Sequence, residues 1–95
     1  MKFVSLTKSP NSEKKYKIVF SDPSKTIHFG SKGSSTYLDH KDKAKRKAYI
    51  ARHEVNEDWT KVNAGSLSKF LLWGASTSLE TNLSAYLKRF NIRKP

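Results

Sequence analysis

The sequence predicts an α+β domain, an N-terminal β-hairpin with a candidate third strand packed against three helices. Three observations lead there. Apolar residues alternate at period two between Lys15 and Phe29, apolar residues recur at helical spacing after Asp39, and 95 residues suffice for one domain. The chain divides into residues 1–14, an arm or edge strand, residues 15–92, the compact domain, and residues 93–95, a basic tail.

Residues 2–7 alternate weakly and fit an edge strand. From Lys15 to Phe20, Tyr16, Ile18 and Phe20 share one face, and Lys15 and Lys17 the other. Ser21-Asp22-Pro23-Ser24 has turn composition, with proline fixing one backbone angle. Lys25 to Phe29 returns, with Ile27 and Phe29 on one face, which completes a hairpin. The loop Gly30-Ser31-Lys32-Gly33-Ser34-Ser35 holds glycines that admit left-handed turns. Asp39 is suited to cap a helix from His40 to Val55, in which Ala44, Ala48, Ala51 and Val55 form a small-residue stripe. Tyr49 and Ile50 project elsewhere, and Asn56 fits the C-terminal cap. Residues 66–73 read as a short helix stopped by Gly74. Thr77 opens the last helix and Glu80 completes a capping box. Leu79, Leu83, Tyr86, Leu87 and Phe90 give that helix an apolar face. Trp59, Trp73 and this last helix are expected to supply much of the core.

Charge is the strongest functional signal. There are 19 Lys and Arg against 8 Asp and Glu, a formal net charge of +11. A field of that sign draws in polyanions, nucleic acid first among them. Six cations, Lys41, Lys43, Lys45, Arg46, Lys47 and Arg52, crowd the helix with one acid, Asp42, among them. The ordinary reading of a charge run is a solvated face, but the acids needed for intrahelical pairing are missing. These six are therefore the main candidates for binding an anionic partner. Lys15 and Lys17 on the strand, Lys32 in the loop, and Arg93 and Lys94 in the tail extend the set. Tyr49 and Trp59 are candidate aromatic anchors within it.

Other chemistry is weakly signalled. The Gly30–Ser35 loop could form an anion nest, but it lacks the Gly-Lys-Ser/Thr ending of a nucleotide-binding loop. His28, His40 and His53 do not have metal-ligand spacing, so no metal, catalytic residue or cofactor is expected. On a straight helix His40 and His53 would stand about 20 Å apart. Glu54, Glu57 and Asp58 fit pairing with Arg52 and Lys61 better than acid–base work. The chain has no cysteine, which excludes disulfides and thiolate sites. No window has transmembrane length, and the first residues are too polar for a secretory signal, so retention in the cytoplasm or nucleus is expected.

Five blocks carry a resemblance: Phe29-Gly30-Ser31-Lys32-Gly33, Asp39-His40-Lys41-Asp42, Tyr49-Ile50-Ala51-Arg52-His53, Asn56-Glu57-Asp58-Trp59, and Gly65-Ser66-Leu67-Ser68 followed by Leu72-Trp73-Gly74. In this order, over roughly residues 15–90, the chain resembles a family of small basic proteins encoded by large double-stranded DNA viruses of algae and amoebae. The resemblance implies a virion protein made in the host cytoplasm or nucleus, and brings no reaction with it. The expectation is a non-enzymatic minor capsid or adaptor protein that docks on acidic viral structural proteins. The alternative is a sequence-nonspecific DNA-binding protein that coats or condenses the packaged genome. No small-molecule substrate is expected.

Overall fold

A computed structural model describes residues 1–94. Pro95, the last residue of the expected tail, lies outside the described residues. The architecture is α+β: a three-stranded antiparallel sheet, order β1-β2-β3, followed by four helices. The strands are β1 (Lys2–Lys8), β2 (Lys14–Ser21) and β3 (Lys25–Ser31). The helices are α1 (Tyr37–His40), α2 (Lys43–Glu54), α3 (Ala64–Leu67, continued by a π-helical turn Ser68–Leu72) and α4 (Leu79–Arg89).

The hairpin follows from its period-two pattern. Ile18 opposes Ile27 and Tyr16 opposes Phe29, so their side chains share the core face. β1 is the edge strand of the same sheet rather than a separate arm. Its register against β2 is interrupted by a bulge between Phe3 and Ser5, which turns Val4 out to solvent. The other sheet face stays polar, with Lys17 opposite both Thr7 and His28.

Ile18, Phe20 and Phe29 meet Leu67, Leu71 and Leu72 of the α3 segment and Leu83, Tyr86 and Leu87 of α4 in one core. Burying each large side chain stabilises the fold by roughly 1.5–3 kcal/mol. The tryptophans contribute less than the sequence suggests, because Trp59 and Trp73 are both only half-buried. Tyr86 is buried with its hydroxyl 2.8 Å from Ser66 Oγ, and burial pushes that hydroxyl up to about 12. The last helix begins one residue later than expected, with Ser78 rather than Thr77 as the cap accepting from the Thr81 N–H. It ends on Asn91 in a left-handed conformation (φ 57°), where the Ile92 N–H bonds back to the Leu87 carbonyl. That turn delivers Arg93 to β1, whose Phe3 N–H donates to the Arg93 carbonyl at 2.8 Å. The start of the expected tail is thereby part of the sheet edge.

The expected helix from His40 to Val55 is two helices. Thr36, not Asp39, is the first N-cap, and Asp39 closes the capping box by accepting from the Thr36 N–H. Lys41 leaves helical space (φ 56°) and Asp42 then starts α2, its carboxylate accepting from the Ala44 and Lys45 N–H groups. Two caps in close succession outcompete one continuous helix, because a short acidic side chain binds free N–H groups better than it tolerates a helix interior.

The connector after the π-helical turn is knitted by Asn82, whose amide donates to the Leu71 and Ser76 carbonyls and accepts from the Ser76 N–H. Asn82→Ala leaves those buried groups unpaired and is expected to cost roughly 1–3 kcal/mol in urea denaturation. A loss of less than about 0.5 kcal/mol, typical of surface changes, would contradict this role.

Candidate nucleic-acid interface

No residue of α2 is buried. The helix rests on the domain through one row of half-buried side chains, Arg46, Tyr49, Ile50 and His53. Tyr49 lies parallel to Trp73, ring centroids 4.3 Å apart and planes 3° from parallel, and His53 stacks on Tyr49 at 4.1 Å. His40 adds its ring to the far end of this column, 5.2 Å from Trp73. Arg46 Nε donates to the Trp73 and Gly74 carbonyls at 3.0 and 2.9 Å, and so caps the end of the π-helical turn. Burial, with the Glu57 carboxylate adding to it against Arg52, pushes the Tyr49 hydroxyl up to about 12.

This docking turns the small-residue stripe outward. Ala44, Ala48, Ala51 and Val55 are all exposed. At 100° per residue, Lys43 and Lys47 form a row on one side of the stripe, and Lys45 and Arg52 a row on the other. Lys41, in the kink, is exposed just ahead of them. Three salt bridges occur among the described residues: Lys2–Asp22, Lys15–Asp39 and Lys61–Asp58. None involves α2. Of its two acids, Asp42 is committed to the N-cap, and Glu54 ends the Lys43–Lys47 row without a salt bridge among the described residues.

A cleft of ≈ 500 Å³ adjoins the C-terminal half of α2. Arg52, Lys14, Ser31, Ser34 and Ser35 line it, with Glu57 as the one carboxylate among its lining residues. The serines come from the end of β3 and the loop after it, where Gly30 and Gly33 take left-handed conformations (φ 79° and 87°) that a side chain would strain. At Gly30 a Cβ would also stand 2.8 Å from Leu72 Cδ1. Cations and hydroxyls at the end of the α2 rows extend the anion-attracting surface off the helix.

The sequence-predicted cations do not form one surface. Lys41, Lys43, Lys45, Lys47 and Arg52 share the α2 face. Arg46 does not: it points inward and its Nε is spent on backbone carbonyls. Lys32 is exposed on the serine-rich loop. Lys15 sits beside Asp39, its side chain 22% exposed. Lys17 lies on the polar face of the sheet, while Arg93 pairs with Lys2 at the β1 edge, and Lys94 follows it. Tyr49 is no free anchor, since Trp73 and His53 cover both ring faces. Trp59 donates its Nε1–H to Glu57 and has Lys69 Nζ over its ring at 5.0 Å. Lys14 was not legible as a site residue, because nothing local marks a strand lysine as facing a cleft.

The histidines are likewise engaged separately. His28 Nδ1 lies 2.7 Å from Ser9 Oγ, and His53 Nδ1 donates to the Tyr49 carbonyl. His40 Nδ1 accepts from the Asp42 N–H, which ties the kink together, and its Nε2 is buried without a partner. Because Lys41 breaks the helix, His40 and His53 bracket the Trp73–Tyr49 pair instead of standing apart on one rod. No cluster of three or more His, Asp or Glu side chains suited to a metal ion occurs among the described residues.

The model of DUF5754, a family of unknown function, matches residues 4–53. The match runs from β1 to the last turn of α2, and so spans the sheet, the serine-rich loop and both cationic rows. No curated protein and no solved structure matches the chain.

Since α2 is held by so few contacts, Arg46→Ala is expected to lower stability by roughly 1.5–3 kcal/mol, the range for hydrogen bonds to a charged group. Hydrogen exchange should show α2 amides losing protection before those of α4. Equal loss in the two helices would contradict the separate docking of α2.

Proposed function

We propose that the chain, which belongs to the DUF5754 family, captures double-stranded DNA without reading its sequence, by laying α2 along the duplex. One observation carries the reading: two unpaired cationic rows flank a solvent-facing alanine strip on a helix that stands proud of the domain. An α-helix with side chains is about 10–12 Å across, and the major groove of B-DNA is about 12 Å wide. Alanines can approach the groove floor closely while offering no hydrogen bonds to base edges. Lys43 and Lys47 then reach phosphates on one wall, and Lys45 and Arg52 on the other. Lys14 and the serine hydroxyls of the adjoining cleft give the backbone a continuation beyond the helix.

This reverses the order of preference set by the sequence. A docking face for a folded protein needs buried apolar anchors at its centre. Among the described residues the large exposed hydrophobics are Val4, in β1, and Val55, just past α2, and Tyr49 is covered. A surface of charges without anchors suits a phosphate backbone better. The virion location rests on the sequence resemblance alone. A component that coats packaged DNA is the form of it this surface fits, and fractionation of purified particles would show whether the chain travels with the genome. The activity is binding only, with no reaction assigned.

Titration of a labelled duplex across a potassium chloride series tests the reading. Log K should fall linearly with log salt, and unrelated sequences should bind alike, with Kd about 10⁻⁶ to 10⁻⁴ M at physiological salt. Replacing Lys43, Lys47 and Arg52 by Ala should reduce the slope by about 0.9 for each phosphate that is no longer neutralised. Absence of binding at low salt, or a slope untouched by the three changes, would sink the proposal.

A further inference from the structure

A second basic surface lies on the other flank of α2. Between the π-helical turn and α4 opens a groove of ≈ 510 Å³. Phe70 and Ala85 contribute to its floor, and Arg46, Lys69, Lys88 and Arg89 to its rim. No carboxylate is among its described lining residues.

The rim charges crowd one another. Lys69 Nζ lies 4.2 Å from the Phe70 ring centroid, and Arg89 Cζ lies 4.3 Å from the same centroid. Each is attracted to the ring and repelled by the other. Desolvation, followed by the fields of Arg89 and Arg46, holds the Lys69 ammonium below the usual lysine range, with Glu54 opposing least. The segment that presents Lys69 and Phe70 is π-helical, with the Trp73 N–H reaching back to the Ser68 carbonyl. Such turns are rare and occur frequently at functional sites. The result is an excess of cations over an apolar floor, with no carboxylate among the described lining residues.

We propose that this groove docks an acidic protein segment, whose carboxylates pair with Lys69, Lys88 and Arg89 while an apolar side chain covers the floor. Charge complementarity selects the sign of the partner. The floor selects its class. A duplex backbone has nothing apolar to place there. A single-stranded base would need an open ring to stack on, but Phe70 already carries two cations and packs against Tyr86 and Phe90, so the floor left for a ligand is the smaller apolar surface of Ala75 and Ala85 beside it. A peptide supplies both carboxylates, which Arg binds in bidentate fashion, and an aliphatic side chain. Such docking relieves the Lys69–Arg89 repulsion. With DNA on the outer face of α2 and an acidic protein on this flank, the chain would bridge the two.

The probe is a fluorescein-labelled synthetic peptide of glutamates around a central leucine, titrated against the full chain. Saturable binding is expected, weaker for a glutamine version and for a version with alanine in place of leucine. Lys69→Gln with Arg89→Gln should weaken binding about tenfold. The Lys43, Lys47 and Arg52 alanine variant should change it by less than about twofold. Should the double variant melt early, Lys88→Gln at the exposed rim serves instead, with a loss of about threefold expected. Binding that survives both groove variants, or that falls with the α2 variant instead, overturns the proposal. So does a single-stranded oligonucleotide whose affinity drops with the groove variants.

Discussion

The parallel stack of Tyr49 on Trp73 sets the geometry of both basic surfaces. α2 contributes nothing to the buried core, so its orientation is not fixed by hydrophobic packing in depth. It is fixed by this stack, by the two bonds from Arg46 Nε, and by the His53 ring behind Tyr49. An offset aromatic pair contributes about 0.5–1.5 kcal/mol beyond the area it buries. That is small, yet it decides the rotation of α2 about its own axis. The rotation in turn decides that alanines and lysines face solvent. Trp73 sits at the end of the π-helical turn, so the same residue joins the α2 face to the groove beside α4.

Placing cations on a lightly held helix has an energetic cost. Lys43 and Lys47 are four residues apart, and like charges at that spacing cost about 0.2–0.5 kcal/mol per pair. Asp42 offsets part of it, since a good N-cap is worth about 1 kcal/mol and a carboxylate there also favours the helix dipole. Elsewhere two more of the 8 acids are drawn into a cap and a turn, Asp39 at Thr36 and Asp58 at Thr60. They satisfy backbone N–H groups and leave most cations unneutralised. Little within the domain relieves the repulsion on α2, and the groove between Lys69 and Arg89 repeats the condition on a second surface.

The two basic surfaces differ in what lies between their charges. On α2 it is alanine, flat and without a pocket, which tolerates any regular array of phosphates. In the groove it is Phe70 and neighbouring apolar atoms, which reward a ligand with a matching side chain. Net charge alone does not separate these cases.

The hairpin, the polar outer face of the sheet and the apolar face of α4 are legible from residue order, because each is a local period that a buried surface must obey. So is the shortage of internal partners for the charge, since 19 cations and 8 acids can be counted without a fold. Which side of α2 faces inward depends on the rest of the domain. The small-residue stripe gains little by burial, whereas Tyr49 and the Arg46 guanidinium find a ring and two carbonyls there and Ile50 becomes half-buried. The kink at Lys41 is likewise settled by rival caps whose outcome no single residue announces. The cations of the groove were illegible for a plainer reason. Lys69 lies far along the chain from Lys88 and Arg89, and only the packing of the α3 segment against α4 gathers them at one groove, with Lys69 and Arg89 over one ring.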